Sequence, residues 1–253
     1  GSDSSGGAGI QADLKTMEAN SVFGQSALAA LTAQNTLGVT DVFNVPPEFV
    51  TAQVRAIFAD IVPDAVKIGM LSDARVVRAV AQTLQEVQAR NIVLDPVMVA
   101  TSGVELSTTA AVQTMVETLF PLAVVITPNL SEARVLAGCV IDTKSDMEHA
   151  ARLILDKGVR AVLIKGGHLK GCADDLLMTK AGETYWFEGE IIETKDTHGT
   201  GCSLSSAIAS YLAKGYALPF AVEQAKAYVA GALCHDIHLG KGSGPLNHSW
   251  RWG

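Results

Sequence analysis

The chain has 253 residues, 48% of them hydrophobic, and a net charge of −7 at pH 7. That acidity is the wrong sign for a nucleic-acid partner, no apolar run approaches the roughly 20 residues of a membrane span, and Cys139, Cys172, Cys202 and Cys234 contain no C-x-x-C pair that would suggest zinc or a disulfide framework. The expectation is one domain over 1–253 with a single sizeable core, a reduced cytoplasmic enzyme for which a nucleotide remains an admissible ligand.

The sequence opens on the loop Gly1-Ser2-Asp3-Ser4-Ser5-Gly6-Gly7-Ala8-Gly9 and leads into a helix over 10–19. Such a loop ordinarily follows a strand, so a native first strand is expected to be missing from the start. Gly6, Gly7 and Gly9 allow a ligand to touch backbone, with Asp13 pointing into that space; the alternative is a flexible leader. Residues 22–35 are alanine-rich and ambiguous between strand and helix, ending in the polar pair Gln34-Asn35. A strand is expected over 39–45, and Pro46-Pro47 opens a helix ending near 60.

Beyond this, short Val/Ile-rich strands alternate with longer amphipathic stretches. Strands are expected at 65–68, 92–94, 124–126 and 161–164, with helices over about 73–90, 108–119 and 147–157. Segments 176–179 and 184–187, joined around Gly182, read as a hairpin. Helices follow over 202–214 and from 219 to about 239. This alternation predicts an α/β, three-layer αβα fold with a mostly parallel central sheet.

Polar groups gather at the strand ends: Asp95, Asn129 with Glu132, Lys165 with His168, and Asp196. In open α/β sheets those ends form the ligand crevice. Each also has a structural reading, Asp95-Pro96 as a turn starter and Asn129 with Glu132 as a capping box. The stretch Asp196-Thr197-His198-Gly199-Thr200-Gly201-Cys202-Ser203 then runs into a helix. A glycine turn there directs unpaired N–H groups and the positive dipole end at one point, which makes an anion site. Together the groups suggest phosphoryl transfer: Lys165 as the cation on the phosphates, Asn129 and Glu132 holding hydrated Mg²⁺, and Gly199 to Cys202 as the anion hole. No G-x-x-x-x-G-K-[ST] occurs, so this is not a P-loop protein.

D-T-H-G-T-G-C-S-L-S-S-A-I-A, T-P-N-L-S-E-A, G-S-D-S-S-G-G-A-G-I-Q-A-D-L-K-T, A-Q-N-T, K-I-G-M-L and D-P-V-M together resemble the hydroxymethylpyrimidine/phosphomethylpyrimidine kinases, the thiamine-biosynthesis members of the ribokinase-like superfamily. The likeness spans nearly the whole chain. It implies a ribokinase-like fold, a homodimer, ATP and Mg²⁺, and two successive phosphorylations of 4-amino-5-hydroxymethyl-2-methylpyrimidine. Carried over by motif, Gln34 reads the pyrimidine edge, with Gly1, Asp13, Met70 and Val97 completing the substrate site. Asn129, Glu132 and Asp95 serve Mg²⁺. Lys165, Asn129, Thr197 and Gly199 hold the nucleotide, Gly199, Thr200 and Gly201 form the anion hole, and Cys202 stands where most ribokinase relatives carry an aspartate base. Family members often have an acidic residue after the glycine of M-V-A-x-S-G, where this chain has Val104. A pyridoxal or pyridoxine kinase, and a non-catalytic pyrimidine-binding regulator, are the competing readings.

Overall fold

The computed structural model describes residues 1–99, 106–167, 169 and 173–252. Val104 with its loop, His168 and Cys172 therefore lie outside the described residues. A glycine loop leads into α1 (Gly9–Ala19), and an antiparallel ribbon of β1 (Ala30–Asn35) and β2 (Gly38–Asn44) stands apart from the main sheet. The ambiguous 22–35 stretch is thus a strand only from Ala30 onward. α2 (Pro47–Asp60) begins on a proline whose missing N–H costs nothing in the first turn.

Four strands, β3 (Val66–Ile68), β4 (Ile92–Leu94), β5 (Val125–Ile126) and β6 (Ala161–Ile164), pair in parallel and in chain order. The hairpin β7 (Asp175–Thr179) and β8 (Thr184–Phe187) extends the sheet antiparallel. α3 (Ala74–Glu86), α4 (Thr109–Thr118), α5 (Leu130–Ala137) and α6 (Lys144–Leu155) connect the parallel strands, and α7 (Thr200–Ala213) and α8 (Leu218–Leu233) follow the hairpin.

The period-2 alternation of the strands divides the core into two halves. Ile92, Leu94, Ile126, Val162 and Ile164 face α3, α4, α5 and α6, whereas Val93, Val125, Ala161 and Leu163 face α7 and α8. The result is the expected αβα sandwich. Phe120 and Tyr228, one in each half, are fully buried, and a large apolar side chain gains about 1.5–3 kcal/mol from such burial. α7 is buried on all sides, and its serines remain compatible with that burial because Ser203, Ser205 and Ser210 donate to carbonyls one turn back.

Two helices end earlier than their composition suggests. α3 stops at Glu86, after which Gln88 and Asn91 take positive φ values of 54° and 50°. α8 stops at Leu233 rather than near 239, because Asp196 Oδ2 accepts from Ile237 N (2.8 Å) and His238 N (2.9 Å) and draws the chain back. α5 is a helix beyond those expected from the alternation of segments, and it begins on the Asn129–Glu132 capping box.

Candidate active site

Three strand ends and one helix start meet at the carboxyl edge of the parallel strands. Asp95 follows β4, Asn129 follows β5, and Lys165 follows β6, with Lys165 N donating to Pro128 O at 2.9 Å. Lys165 Nζ lies 3.0 Å from Asp95 Oδ1, which also accepts from Thr127 Oγ1 at 2.9 Å. A side chain on Gly201 would bring its Cβ to 3.3 Å from Lys165 Nζ and 3.5 Å from Asp95 Oδ2. The first turn of α7 therefore lies against this ion pair, and its N–H groups and dipole add to the positive charge of Lys165. Burial alone would lower the Lys165 ammonium, but Asp95 and Glu132 outweigh it and raise it.

The bend before α7 is enforced sterically. Gly199 has φ +83°, and a Cβ there would fall 1.9 Å from the Gly7 carbonyl oxygen. The opening glycine loop is thus seated directly beneath the anion loop. Asp3, 1% exposed, fastens the two together. Its carboxylate accepts from Ser5 N, Ser5 Oγ, Gly7 N and Ala8 N, and from His198 Nε2 at 2.8 Å. Burial pushes this carboxyl up, but the hydrogen bonds from His198, Ser5 and Ala8 prevail and hold it well below the usual carboxylate range.

Gln34 projects from β1, and its Nε2 lies 3.4 Å from His198 Nε2. The Gly1 nitrogen sits 3.5 Å from Met70 O, and Val97 O accepts from Ser107 Oγ at 2.8 Å. Asp13 does not stand alone in this space. Lys67 Nζ donates to both of its oxygens (2.7 and 3.0 Å) and Ser206 Oγ to one (2.7 Å). Burial would lower Lys67, yet Asp13, with Cys202 and Asp95 behind it, raises it. Sequence reasoning missed Lys67; the available signal was a lone lysine within a short buried strand, followed two residues later by a glycine that leaves room for its ammonium.

Cys202 is the third residue of α7. A helix start by itself lowers a thiol pKa, but here burial pushes the thiol up, with Lys67 opposing and Asp13 adding to the rise. Asn129 and Glu132 form the capping box in full: Asn129 Oδ1 accepts from Glu132 N (2.9 Å) and Glu132 Oε2 from Asn129 N (2.8 Å). Burial pushes the Glu132 carboxyl up to about 7, with Lys165 opposing. Among the described residues no group of three or more His, Cys, Asp or Glu side chains can hold a metal by itself. The hard oxygens of Asp95 and Glu132 suit Mg²⁺, an ion that keeps waters and takes phosphate oxygens to complete its octahedron.

The site residues carried over by motif, from Gly1 to Cys202, line one cavity of about 1290 Å³, whereas Gly6 and Gly7 of the opening loop are not part of its wall. Asp196 has a different task, since its carboxylate is occupied in holding the 237–238 backbone.

Comparisons with known proteins agree with this geometry. The family model for phosphomethylpyrimidine kinase matches residues 3–247. The hydroxymethylpyrimidine/phosphomethylpyrimidine kinase of Streptomyces coelicolor is 47% identical over 253 residues, covering 100% of this chain and 93% of its own. The thiamine biosynthesis bifunctional protein ThiED of Geobacter sulfurreducens is 49% identical over 249 residues and 98% of this chain, which spans only 51% of that longer protein. Among solved structures, the ADP complex of Bacillus subtilis pyridoxal kinase superposes with a TM-score of 0.90 at 39% identity, covering 99% of this chain and 95% of that one. With the family model matching residues 3–247 and a relative 47% identical over the whole chain, the chain belongs to the phosphomethylpyrimidine kinase family.

Proposed function

We infer that this chain transfers the terminal phosphoryl group of ATP to 4-amino-5-hydroxymethyl-2-methylpyrimidine and then to the resulting monophosphate, within thiamine biosynthesis. The observation that carries the reading is the Lys165–Asp95 pair set against the first turn of α7, in one cavity that Gln34 and Met70 line together with Ala173 and Phe187. Phosphoryl transfer needs positioning and charge neutralisation more than covalent chemistry. Lys165 holds phosphate oxygens, Thr197 to Gly201 offer backbone to the transferred group, and Gln34 offers a donor and an acceptor to an aminopyrimidine edge. Mg²⁺, held through Asp95, Asn129 and Glu132, supplies further charge neutralisation on the phosphates. Cys202 takes the proton of the acceptor alcohol.

The likeness to a pyridoxal kinase favours a second reading, in which the acceptor is a pyridoxal-type ring. A purely binding regulator is disfavoured, because it has no use for a half-buried lysine poised at an anion hole. Residues 1–253 act as one catalytic domain in the cytoplasm; among the described residues no helix is long and apolar enough to cross a membrane. Exposed Leu31, Val42 and Phe43 on the β1–β2 ribbon favour a homodimer. Incubation with ATP, Mg²⁺ and the pyrimidine alcohol, followed by mass analysis, should yield the monophosphate and then the diphosphate. Absence of both products would refute the reading.

A further inference from the structure

The far end of the cavity is built around a side chain that neither the motifs nor the chemistry above uses. Lys226 projects from α8, and its ammonium has three hydrogen-bond acceptors: Asp175 Oδ2 at 2.8 Å, Ala173 O at 2.9 Å and Phe187 O at 3.0 Å. An ammonium has three N–H donors, so the set is saturated. The acceptors come from the residue two before β7, from the first residue of β7 and from the last residue of β8. Asp175 then uses its other oxygen to accept from Gly166 N at 2.8 Å, and Gly166 is the residue after Lys165. One ammonium therefore joins α8, the wall that begins at Phe187, and the backbone that presents Lys165.

The segment after β8 is held in contact with this ammonium. Gly189 N donates to Asp174 Oδ1 at 3.0 Å, and a Cβ on Gly189 would lie 2.4 Å from Ala173 O and 2.9 Å from Lys226 Nζ. Gly189 through Ile192 line the same cavity as Leu204 and Ala227. The acceptor end is at Gln34 and Met70, and the transferred phosphoryl sits between the ends, at Lys165 and Gly201. The Lys226 end is then where the rest of the nucleotide lies, a placement that rests on the kinase reading given above.

The geometry points to Lys226 as a positioning residue for the nucleotide: its ammonium sets the distance between the post-β8 wall and Lys165, and so shapes the nucleotide half of the cavity while leaving the pyrimidine half untouched. Lys226 touches neither reactant in this role and acts through Ala173, Asp175 and Phe187.

The experiment is calorimetric titration of the whole chain with a non-hydrolysable ATP analogue and, separately, with the pyrimidine alcohol, alongside steady-state kinetics. For Lys226→Met the analogue should bind about tenfold or more weakly, as the loss of a charged hydrogen-bonding group implies. KM for ATP should rise with it, while kcat and pyrimidine affinity hold to within about a factor of three. In Lys226→Ala, added ammonium chloride should restore analogue binding, whereas tetramethylammonium, which has no N–H donor, should not. Gly189→Ala keeps the ammonium and displaces the wall, so the same nucleotide-selective loss is expected should Lys226→Met fail to fold. Unchanged analogue affinity in a folded variant overturns the assignment, and so does equal weakening of both ligands, which marks a general structural role. A wild-type chain that binds no analogue would remove the kinase reading itself; wild-type binding with an indifferent Lys226→Met removes only the role of Lys226.

Discussion

His198 Nε2 lies 2.8 Å from Asp3 Oδ2, joining the anion loop to the opening glycine loop across 195 positions of sequence. Asp3 also gathers the N–H groups of its own loop, so this carboxylate ties the opening loop to the turn before α7. Asp3→Asn removes the charge while preserving size and should cost about 1–3 kcal/mol at pH 7. The sign with pH follows from the lowered carboxyl. A depressed folded pKa stabilises above the unfolded value and loses that contribution as pH falls toward the folded one. The gap in urea-unfolding free energy between wild type and variant should therefore be full at pH 7 and shrink below about pH 4. A gap constant with pH would show that the carboxylate charge is irrelevant.

Gly199 and Gly201 should differ sharply when each is changed to alanine. At Gly199 the positive φ and the collision with Gly7 O leave no room, so the anion loop must move. Turnover should fall by about 10²–10³, the range for loss of an oxyanion donor, together with a lowered melting temperature. At Gly201 φ is not positive and the nearest atoms are the side-chain ends of Lys165 and Asp95, 3.3 and 3.5 Å away rather than backbone, so the fold should survive and the effect should appear in KM for ATP. Similar behaviour of the two variants would argue against a rigid loop.

Glu132→Gln separates capping from metal service. A glutamine can still accept from Asn129 N, so stability should change by less than about 1 kcal/mol. If Glu132 serves Mg²⁺, the free Mg²⁺ needed for half-maximal rate should rise several-fold. An unchanged Mg²⁺ dependence would leave Glu132 as a cap alone.

Cys202 should matter unequally to the two acceptors. The alcohol must lose a proton as its bond to phosphorus forms, and a general base contributes about 10²–10⁴ there. The monophosphate is already largely ionised at neutral pH, since its second pKa is about 6, and needs no base. Because burial raises the Cys202 thiol, kcat/KM for the alcohol should keep climbing above about pH 8.5, while that for the monophosphate stays level. Cys202→Ala should abolish the climb and slow the alcohol step far more than the monophosphate step. Equal losses on both would leave the backbone of Gly199 to Gly201 as the main catalytic element.

The strand ends were legible because a carboxylate, amide or lysine at or just beyond the end of a short apolar run has few other places to go. Asp95, Asn129 and Lys165 were found in that way, and Gly199 through the turn it makes possible. The raised thiol of Cys202 was not legible, because it reflects burial by α1 and β3 as well as the helix to which Cys202 belongs. Lys67 and Lys226 were hidden for a related reason. Each looks like an ordinary charge in its own segment, and only the tertiary fold supplies Asp13 for one and the Ala173 and Phe187 carbonyls for the other. The end of α8 was misplaced because nothing between 234 and 239 breaks a helix as strongly as Asp196 recruits the 237–238 backbone.

We propose that this cavity selects a pyrimidine alcohol over pyridoxal as the acceptor for ATP. The measurement that tests it most directly is kcat/KM at fixed ATP and Mg²⁺ for 4-amino-5-hydroxymethyl-2-methylpyrimidine and for pyridoxal, on the same preparation. Gln34 offers paired donor and acceptor groups to an aminopyrimidine, and leaving such groups unmatched costs about 1–3 kcal/mol, or roughly one to two orders of magnitude. The pyrimidine is therefore expected to lead by at least about tenfold, with Gln34→Leu erasing that lead and leaving KM for ATP unchanged. A preference for pyridoxal, or phosphorylation of neither ring, would contradict the claim.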